Sequence, residues 1–268
     1  MHDDDRPVGS VVSRRRALAI LGGTGAVLTL TGAGIAQGST PAEAGRTVDC
    51  VAKPEAIEGP YFVDEMLNRS DIRSDPSDGS VVEGIPLRLD LQVLQVNGRC
   101  APLRGAQVDI WQCDARGIYS DMAVENTTGK KYLRGYQLTN GAGNVRFTTI
   151  LPGWYTGRTV HIHIKIRTTG TDGNPYEFTS QLYFTEEFKA TYLNTAPYID
   201  EGAPDTTNDT DFIYAEGGDQ MVLRPRRLGH GYSANFAIGL DLSDTAVGAD
   251  DSDTSGGLPP GGTPPPAS

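Results

Sequence analysis

Short segments in which apolar and polar residues alternate recur through the middle of the chain, and this feature constrains the fold more than any other. Residues 87–93 read LRLDLQV, and the alternation resumes at 94–96 after a slip of one residue, which indicates a strand with a bulge. Residues 160–166 read VHIHIKI. Because successive side chains of a β-strand point to opposite faces, both segments are predicted to be half-buried strands.

Further segments with strand character complete the predicted core. They lie at residues 108–112, 143–150, 181–184, 220–223 and 232–242. Turns separate them, since the chain contains 33 Gly and 17 Pro, and Asn97-Gly98 is a typical turn pair after the first strand. Helical character is limited to a short stretch at 186–193. Many short strands with turns between them predict an all-β fold built on an antiparallel β-sandwich core.

The first 44 residues differ in composition from this core. Residues 11–16 read VVSRRR, a weakly apolar stretch follows at 17–36, and small residues surround position 42. This order predicts an export signal at 1–44, and the SRRRAL run resembles the twin-arginine type. The protein is therefore predicted to be extracytoplasmic and secreted, without stable membrane insertion after processing. A single membrane anchor is the alternative, which the six glycines from Gly22 to Gly38 disfavour.

The other end of the chain also lacks core character. From residue 244 onward the sequence is mostly Asp, Ser, Gly, Thr, Ala and Pro, which predicts a disordered tail at 244–268. Residues 45–243 are left for one well-buried domain.

Charge and cysteine content narrow the classes of partner and site. The net charge of −11 argues against nucleic acid and anionic membranes as partners. The three cysteines, Cys50, Cys100 and Cys113, form no Cys-x-x-Cys motif, so a structural zinc site is not expected. In an oxidising compartment any two of them could form a disulfide.

Two histidines on one predicted strand are the first candidates for chemistry. His161 and His163 are separated by two positions, so their rings lie on the same face and can converge on one metal ion. Two surface histidines are an equally good interpretation of that pair alone. No Asp or Glu lies between Tyr155 and Lys165, so a site with two histidines and one carboxylate lacks its carboxylate.

Tyrosines provide the remaining hard anionic candidates near the histidines. A bound trivalent cation would remove the phenolic protons of Tyr119 and Tyr155, and two phenolates with two neutral imidazoles suit Fe(III). The alternative for each tyrosine is an ordinary core residue, since the chain has 11 tyrosines. For Arg158, which lies near the histidines in sequence, the alternative is a simple ion pair with a carboxylate.

Several ordered sequence blocks resemble the intradiol ring-cleavage dioxygenases, the family of protocatechuate and catechol dioxygenases. The similarity is greater to the exported single-domain branch of that family, and it extends from residue 50 to about residue 241. The blocks are PEAIEGPY at 54–61, RSDIR at 69–73, CAPL at 100–103, WQCDA at 111–115, LRG at 133–135, PGWY at 152–155 and HIH at 161–163.

The resemblance implies one Fe(III) per chain, held on long loops and one strand of the sandwich. Its ligands would be Tyr119, Tyr155, His161 and His163. Tyr119 would stay bound throughout, whereas Tyr155 would leave the metal when substrate arrives.

The resemblance also implies residues that act on the substrate. Arg158 would stabilise negative charge on the ring, and Gln181 would lie beside the metal as a further catalytic residue. The segment Gly59, Pro60 and Tyr61 would border the substrate pocket together with Arg158. For Arg134 a structural role and a role behind the ligands are equally good interpretations.

The implied activity is that of an oxidoreductase in aromatic compound catabolism. Both atoms of dioxygen would enter a catechol-type ring to give a muconate-type diacid, so the partners would be a small aromatic diol and dioxygen. Residues 121–132 show no basic cluster for a substrate carboxylate, and the individual catechol stays open. Monomer and homodimer both stay open. The alternatives are a secreted β-sandwich binding module without catalysis, and a copper or zinc enzyme on the same scaffold.

Overall fold

The computed structural model describes residues 50–246, all of which belong to one compact unit. The predicted export signal at 1–44 and all but the first three residues of the predicted tail lie outside the described residues. Within residues 50–246, no helix has both the length and the apolar character that crossing a membrane would need.

Two five-stranded sheets make up this unit. Sheet A has the order β2-β1-β10-β9, with β5 also paired to β1, and sheet B has the order β4-β3-β6-β7-β8. The strands are β1 (Pro86–Gln95), β2 (Ala101–Pro102), β3 (Gln107–Trp111), β4 (Arg134–Leu138), β5 (Asn144–Ile150), β6 (His161–Thr169), β7 (Pro175–Phe184), β8 (Val222–Leu223), β9 (Arg226–Leu228) and β10 (Gly231–Leu240).

Helical structure in the described part is brief. The α-helix α1 (Glu186–Ala190) confirms the short helix predicted after the fifth predicted strand, and the Thr185 side chain caps it by accepting a hydrogen bond from the Phe188 backbone N–H. Single 3₁₀ turns lie at Val96–Gly98, Ala123–Glu125, Tyr198–Glu201, Tyr214–Glu216 and Gly218–Met221.

The all-β sandwich prediction is confirmed, although its sheets are not purely antiparallel. β1 and β10 run parallel in continuous register from Leu87 opposite Tyr232 to Gln95 opposite Leu240, and β7 pairs with β8 in parallel. That unbroken register contains no bulge, so the bulge prediction in the first strand was wrong. Val93 and Leu94 are both buried, so the slip marks burial on both faces of the strand end.

Strand β6 lies at the centre of sheet B, between β3 and β7. Its residues Ile162, Ile164 and Ile166 are fully buried in the apolar core, as predicted, and the buried leucines of β1 belong to the same core. The histidines point to the opposite face of the sheet, yet they are buried as well. Chain from outside the sandwich must therefore cover this outer face.

The segment before β1 provides that cover. The Ala56 backbone N–H donates to the Thr179 carbonyl of β7 at 2.9 Å, and Glu58 forms an ion pair with Lys165 of β6. A disulfide between Cys50 and Cys100 joins the start of the described chain to the β1–β2 connection, and Cys113 is free and buried. The contacts of Ala56 and Glu58 hold the covering segment against sheet B, whereas the disulfide ties the start of the segment to sheet A.

Candidate metal centre

The two histidines of β6 approach each other with their ring nitrogens. The Nε2 atoms of His161 and His163 are 3.0 Å apart, and both side chains are buried. His161 Nδ1 lies 2.6 Å from the Thr159 carbonyl oxygen, to which it can only donate, so its Nε2 carries a lone pair. Burial and the nearby Arg158 lower the pKa of His161 to about 3, so the imidazole is neutral at physiological pH. The two Nε2 atoms thus lie close enough together for one metal ion to bind both rings.

Both predicted tyrosines meet the histidines there. The Tyr155 hydroxyl lies 3.2 Å from His161 Nε2, and the Tyr155 ring is 5.7 Å from the Tyr119 ring. Tyr119 is fully buried, and its hydroxyl has no hydrogen-bond partner among the described residues. A buried hydroxyl without a partner costs about 1–3 kcal/mol, which a ligand at this point would offset. The structure thus brings all four predicted ligands together.

The donor chemistry of these four side chains fits a ferric ion. Burial raises the pKa values of Tyr119 and Tyr155 well above that of a free phenol, so both are protonated without a cation, and a trivalent ion would reverse this. Among residues 50–246, no cluster of three or more His, Cys, Asp or Glu side chains could hold a metal. A metal here would need the phenolate oxygens.

Two glycines allow the tyrosine-bearing loops to interlock. A β-carbon on Gly117 would lie 2.2 Å from the Trp154 carbonyl oxygen, and one on Gly153 would lie 2.5 Å from the Ala115 carbonyl oxygen. Any side chain at either position would push the loops apart, and Gly117 also has a positive φ of 81°. The backbone approach between the two loops therefore sets the spacing of Tyr119 and Tyr155.

Arg158 lies at the edge of the metal centre and is held by two groups. Its Nε donates to Asp211 Oδ2 at 2.8 Å, and its Nη2 donates to Gln181 Oε1 at 2.5 Å. Gln181 also accepts a hydrogen bond from the Tyr183 hydroxyl at 3.0 Å. Arg158 thus makes the carboxylate pair that was the alternative interpretation for it, and it lies close enough to His161 to help lower the pKa of that imidazole.

The predicted substrate segment lies over the ligands. The Tyr61 ring stacks face to face on Tyr119 at 4.1 Å, and a β-carbon on Gly59 would lie 3.8 Å from His163 Cε1. Pro60 between them is exposed. Arg134 is buried behind this segment and donates to the Tyr61 carbonyl oxygen at 2.5 Å, so its contacts support a structural role.

Two residues at the site were not predicted from the sequence. Trp111 of β3 stacks on His163 with ring centroids 4.6 Å apart, and Asp211 holds Arg158. The WQCDA block already marked Trp111 as part of the family pattern, so that signal was present. Asp211 lies in a loop with many Thr and Asp residues, where no local pattern sets it apart.

Comparisons with known proteins identify relatives of this chain. The Dioxygenase_C family, described as dioxygenase, matches residues 57–199. An intradiol ring-cleavage dioxygenase of Tetranychus urticae is 31% identical, with a TM-score of 0.63 over 73% of this chain and 96% of that chain. The dioxygenase domain of a dioxygenase and carbohydrate-binding protein fusion from Streptomyces sp. SirexAA-E is 30% identical, with a TM-score of 0.53 over 71% and 99%.

A curated relative extends beyond the matched region. Chlorocatechol 1,2-dioxygenase of Pseudomonas putida is 27% identical over 157 residues, which cover 48% of this chain and 52% of that relative. The chain thus spans about half the length of the curated relatives it matches.

Proposed function

Because this chain belongs to the intradiol ring-cleavage dioxygenase family, we propose that it is a non-haem Fe(III) enzyme that cleaves catechol-type rings. One observation carries the proposal. The two histidine Nε2 atoms, 3.0 Å apart, the Tyr155 hydroxyl and the unpartnered Tyr119 hydroxyl share one buried site. This set suits a hard trivalent cation and has no evident use in a purely structural strand.

Tyr119, Tyr155, His161 and His163 would hold one iron per chain. When bound, Fe(III) draws electron density from a catecholate and so makes the ring reactive toward dioxygen. The neutral imidazoles and the fully buried Tyr119, stacked beneath Tyr61, are suited to remain in place.

Tyr155 is suited to a different task from Tyr119. It is half-buried, whereas Tyr119 is fully buried, so Tyr155 has more room to move. Burial raises the pKa of Tyr155 above that of a free phenol, so its oxygen would take up a proton once it left the cation. Tyr155 therefore accepts one of the two protons that a catechol loses on binding as a dianion.

Arg158 contributes positive charge beside the substrate ring. It is 5% exposed, and its side chain lies in a buried setting where a charge acts more strongly than in water. A donor already aimed at the site stabilises the negative charge that develops on the ring. Gln181 helps to hold this donor through its Oε1.

The substrate partners would be a small aromatic diol and dioxygen. Segment 59–61 would form one wall of the pocket, because Tyr61 covers Tyr119 and Gly59 lies against His163. The predicted export signal makes an extracytoplasmic place of action part of the proposal. Cell fractionation with an antibody to the chain tests that part separately.

Iron content and colour test the proposed metal. Charge transfer from tyrosinate to Fe(III) should make the purified protein burgundy-red, with about one iron per chain. Oxygen uptake and product spectra with catechol, protocatechuate, hydroxyquinol and substituted lignin-derived catechols then test the reaction. A protein that stays colourless and metal-free after growth with ample iron would contradict the proposal. A protein that binds a catechol without consuming oxygen would instead favour the binding-module alternative.

A further inference from the structure

A buried carboxylate from a distant loop holds the active-site arginine. Asp211 lies in the loop between α1 and β8 and is 1% exposed. Its Oδ2 accepts hydrogen bonds from Arg158 Nε and from the Thr159 backbone N–H, both at 2.8 Å. Its Oδ1 accepts hydrogen bonds from the Ile213 and Tyr214 backbone N–H groups, both at 2.9 Å. Four donors thus fix this carboxylate within its own loop and against Arg158.

The contact leaves part of the guanidinium available. Nε donates to Asp211 and Nη2 donates to Gln181, which leaves the Nη1 donors outside both of these contacts. Arginine has a long side chain with many rotamers, but its planar group is fully oriented once one edge is fixed. Asp211 and Gln181 therefore set the direction of the unused donors.

We propose that Asp211 is a positioning residue for the reaction: its carboxylate orients Arg158 so that the Nη1 donors stay directed to the bound substrate. This inference rests on the proposed function, because it assigns Asp211 a role through the arginine of that site. Within residues 50–246 the Asp211 carboxylate accepts hydrogen bonds from Arg158 and from backbone N–H groups, so we assign it a positioning role and not a catalytic one.

Asp211 is also connected to the site through Thr159 and His161, and this connection must be distinguished from the one through Arg158. The Thr159 backbone donates to Asp211, and the Thr159 carbonyl accepts from His161 Nδ1. Loss of Asp211 could therefore disturb a metal ligand rather than the arginine. Iron content and the tyrosinate absorption band report on the ligand, whereas the turnover number reports on the arginine.

The test uses the iron-loaded full chain carrying Asp211→Asn. Asparagine has one acceptor oxygen in place of two, so it cannot satisfy both the arginine edge and the loop N–H groups. We expect kcat to fall roughly 100-fold, the scale for loss of one aimed donor, with KM changed less than about threefold. Iron content and the visible band should equal those of the wild type. Asp209→Asn, an exposed acid of the same loop, is the matched control and should leave kcat unchanged.

A double-mutant cycle identifies the route. In an Arg158→Gln background, Asp211→Asn should lower kcat by less than about threefold, because the group through which Asp211 acts is already gone. Independent, multiplying effects would overturn the proposal. So would normal turnover of Asp211→Asn, or loss of its iron or visible band, which would assign Asp211 to His161.

Thermal stability tests the contact between Asp211 and Arg158 independently of the proposed catalytic activity. In thermal unfolding of the iron-free proteins, each single variant should lower Tm by about 10 °C, and the double variant by clearly less than the sum. Additive shifts would mean that the two side chains are not coupled. A wild type without catechol cleavage would refute the proposed function and the role of Asp211 in catalysis, whereas the unfolding cycle would still decide the coupling.

Discussion

The two faces of strand β6 are equally buried but chemically opposite. The inner face carries Ile162, Ile164 and Ile166 at 0% exposure, and the outer face carries His161 and His163 at 2% and 1%. The isoleucines need only close packing, which the opposed sheet provides. Each buried polar group on the outer face instead needs a partner, and those partners come from loops and from the segment before β1.

That difference separates stability from function within one strand. The inner face is complete, since its side chains pack in one apolar cluster. The outer face is incomplete: the hydroxyl of Tyr119 and the Nδ1 of His163 have no hydrogen-bond partner among the described residues. Buried polar groups without a hydrogen-bond partner indicate a place for a ligand. Substitutions on the outer face should therefore affect metal binding and activity, and those on the inner face should affect stability.

Replacing an outer-face ligand should have the largest effect. His163→Ala removes one of the four proposed ligands, so we expect iron content to fall sharply and kcat/KM to fall by more than the roughly 10–100-fold typical of outer-shell changes. Iron analysis and oxygen uptake measure both effects. Because the buried ring also stacks on Trp111, its removal should lower the Tm of the iron-free variant too, so iron content and turnover are expressed per folded chain. Retention of iron with normal turnover would exclude His163 as a ligand.

Replacing an inner-face residue should have the opposite signature. Ile164→Ala removes buried methyl groups from the core, which costs about 2–5 kcal/mol of unfolding free energy. Chemical denaturation measures this loss, and iron content per folded chain should not change. Ile164→Val is the matched control and should cost about 0.5–1.5 kcal/mol. A selective loss of iron in Ile164→Ala would mean that the two faces are not separable.

The alternation along β6 was readable from sequence because it is local. Residues 160–166 alone place both histidines on one face and the isoleucines on the other, and the structure agrees. Burial of the outer face was not readable, since the cover comes from residues that lie about 100 positions earlier. The parallel pairing of β1 with β10 was missed for the same reason, because partners such as Leu87 and Tyr232 lie far apart in the chain.

Three further features lacked any local signal. Strand β4 reads RGYQL, in which alternation is weak, and it was not predicted; its place in the sheet comes from pairing with β3. The partner of Arg158 could not be identified among 34 acidic residues, because the contact with Asp211 depends on the path of a loop after α1. The Cys50–Cys100 pairing was one of three possibilities.

A substitution further along the outer face tests how the covering segment is held on sheet B. Lys165 lies two positions after His163 and is buried against Glu58 of the covering segment. Lys165→Met keeps the packing but removes the cation that Glu58 and Glu177 share, which should cost about 1–3 kcal/mol in chemical denaturation. Adding Glu58→Gln should recover part of that loss, since both charges are then removed. No recovery would mean that the ion pair does not hold the segment.

Lowering the pH should reduce the contribution of the outer-face histidines to the unfolding free energy, but not that of the inner-face isoleucines. Burial lowers the pKa of His161 to about 3 and that of His163 well below its usual value, so both are neutral in the folded protein. The unfolded chain binds protons on these histidines near pH 6.5, so between about pH 6.5 and 3 it binds more protons than the folded chain. The unfolding free energy of the iron-free protein should therefore decrease as the pH is lowered through that window.

The size of this effect is the slope of the unfolding free energy against pH. Each histidine contributes at most about 1.4 kcal/mol per pH unit, and the contribution is fully present only above pH 6.5. Denaturation of His161→Phe at several pH values should show a shallower slope than the wild type, whereas Ile164→Val should keep the wild-type slope because isoleucine does not titrate. Equal slopes in all three proteins would mean that carboxylates, and not the outer-face histidines, control the acid sensitivity.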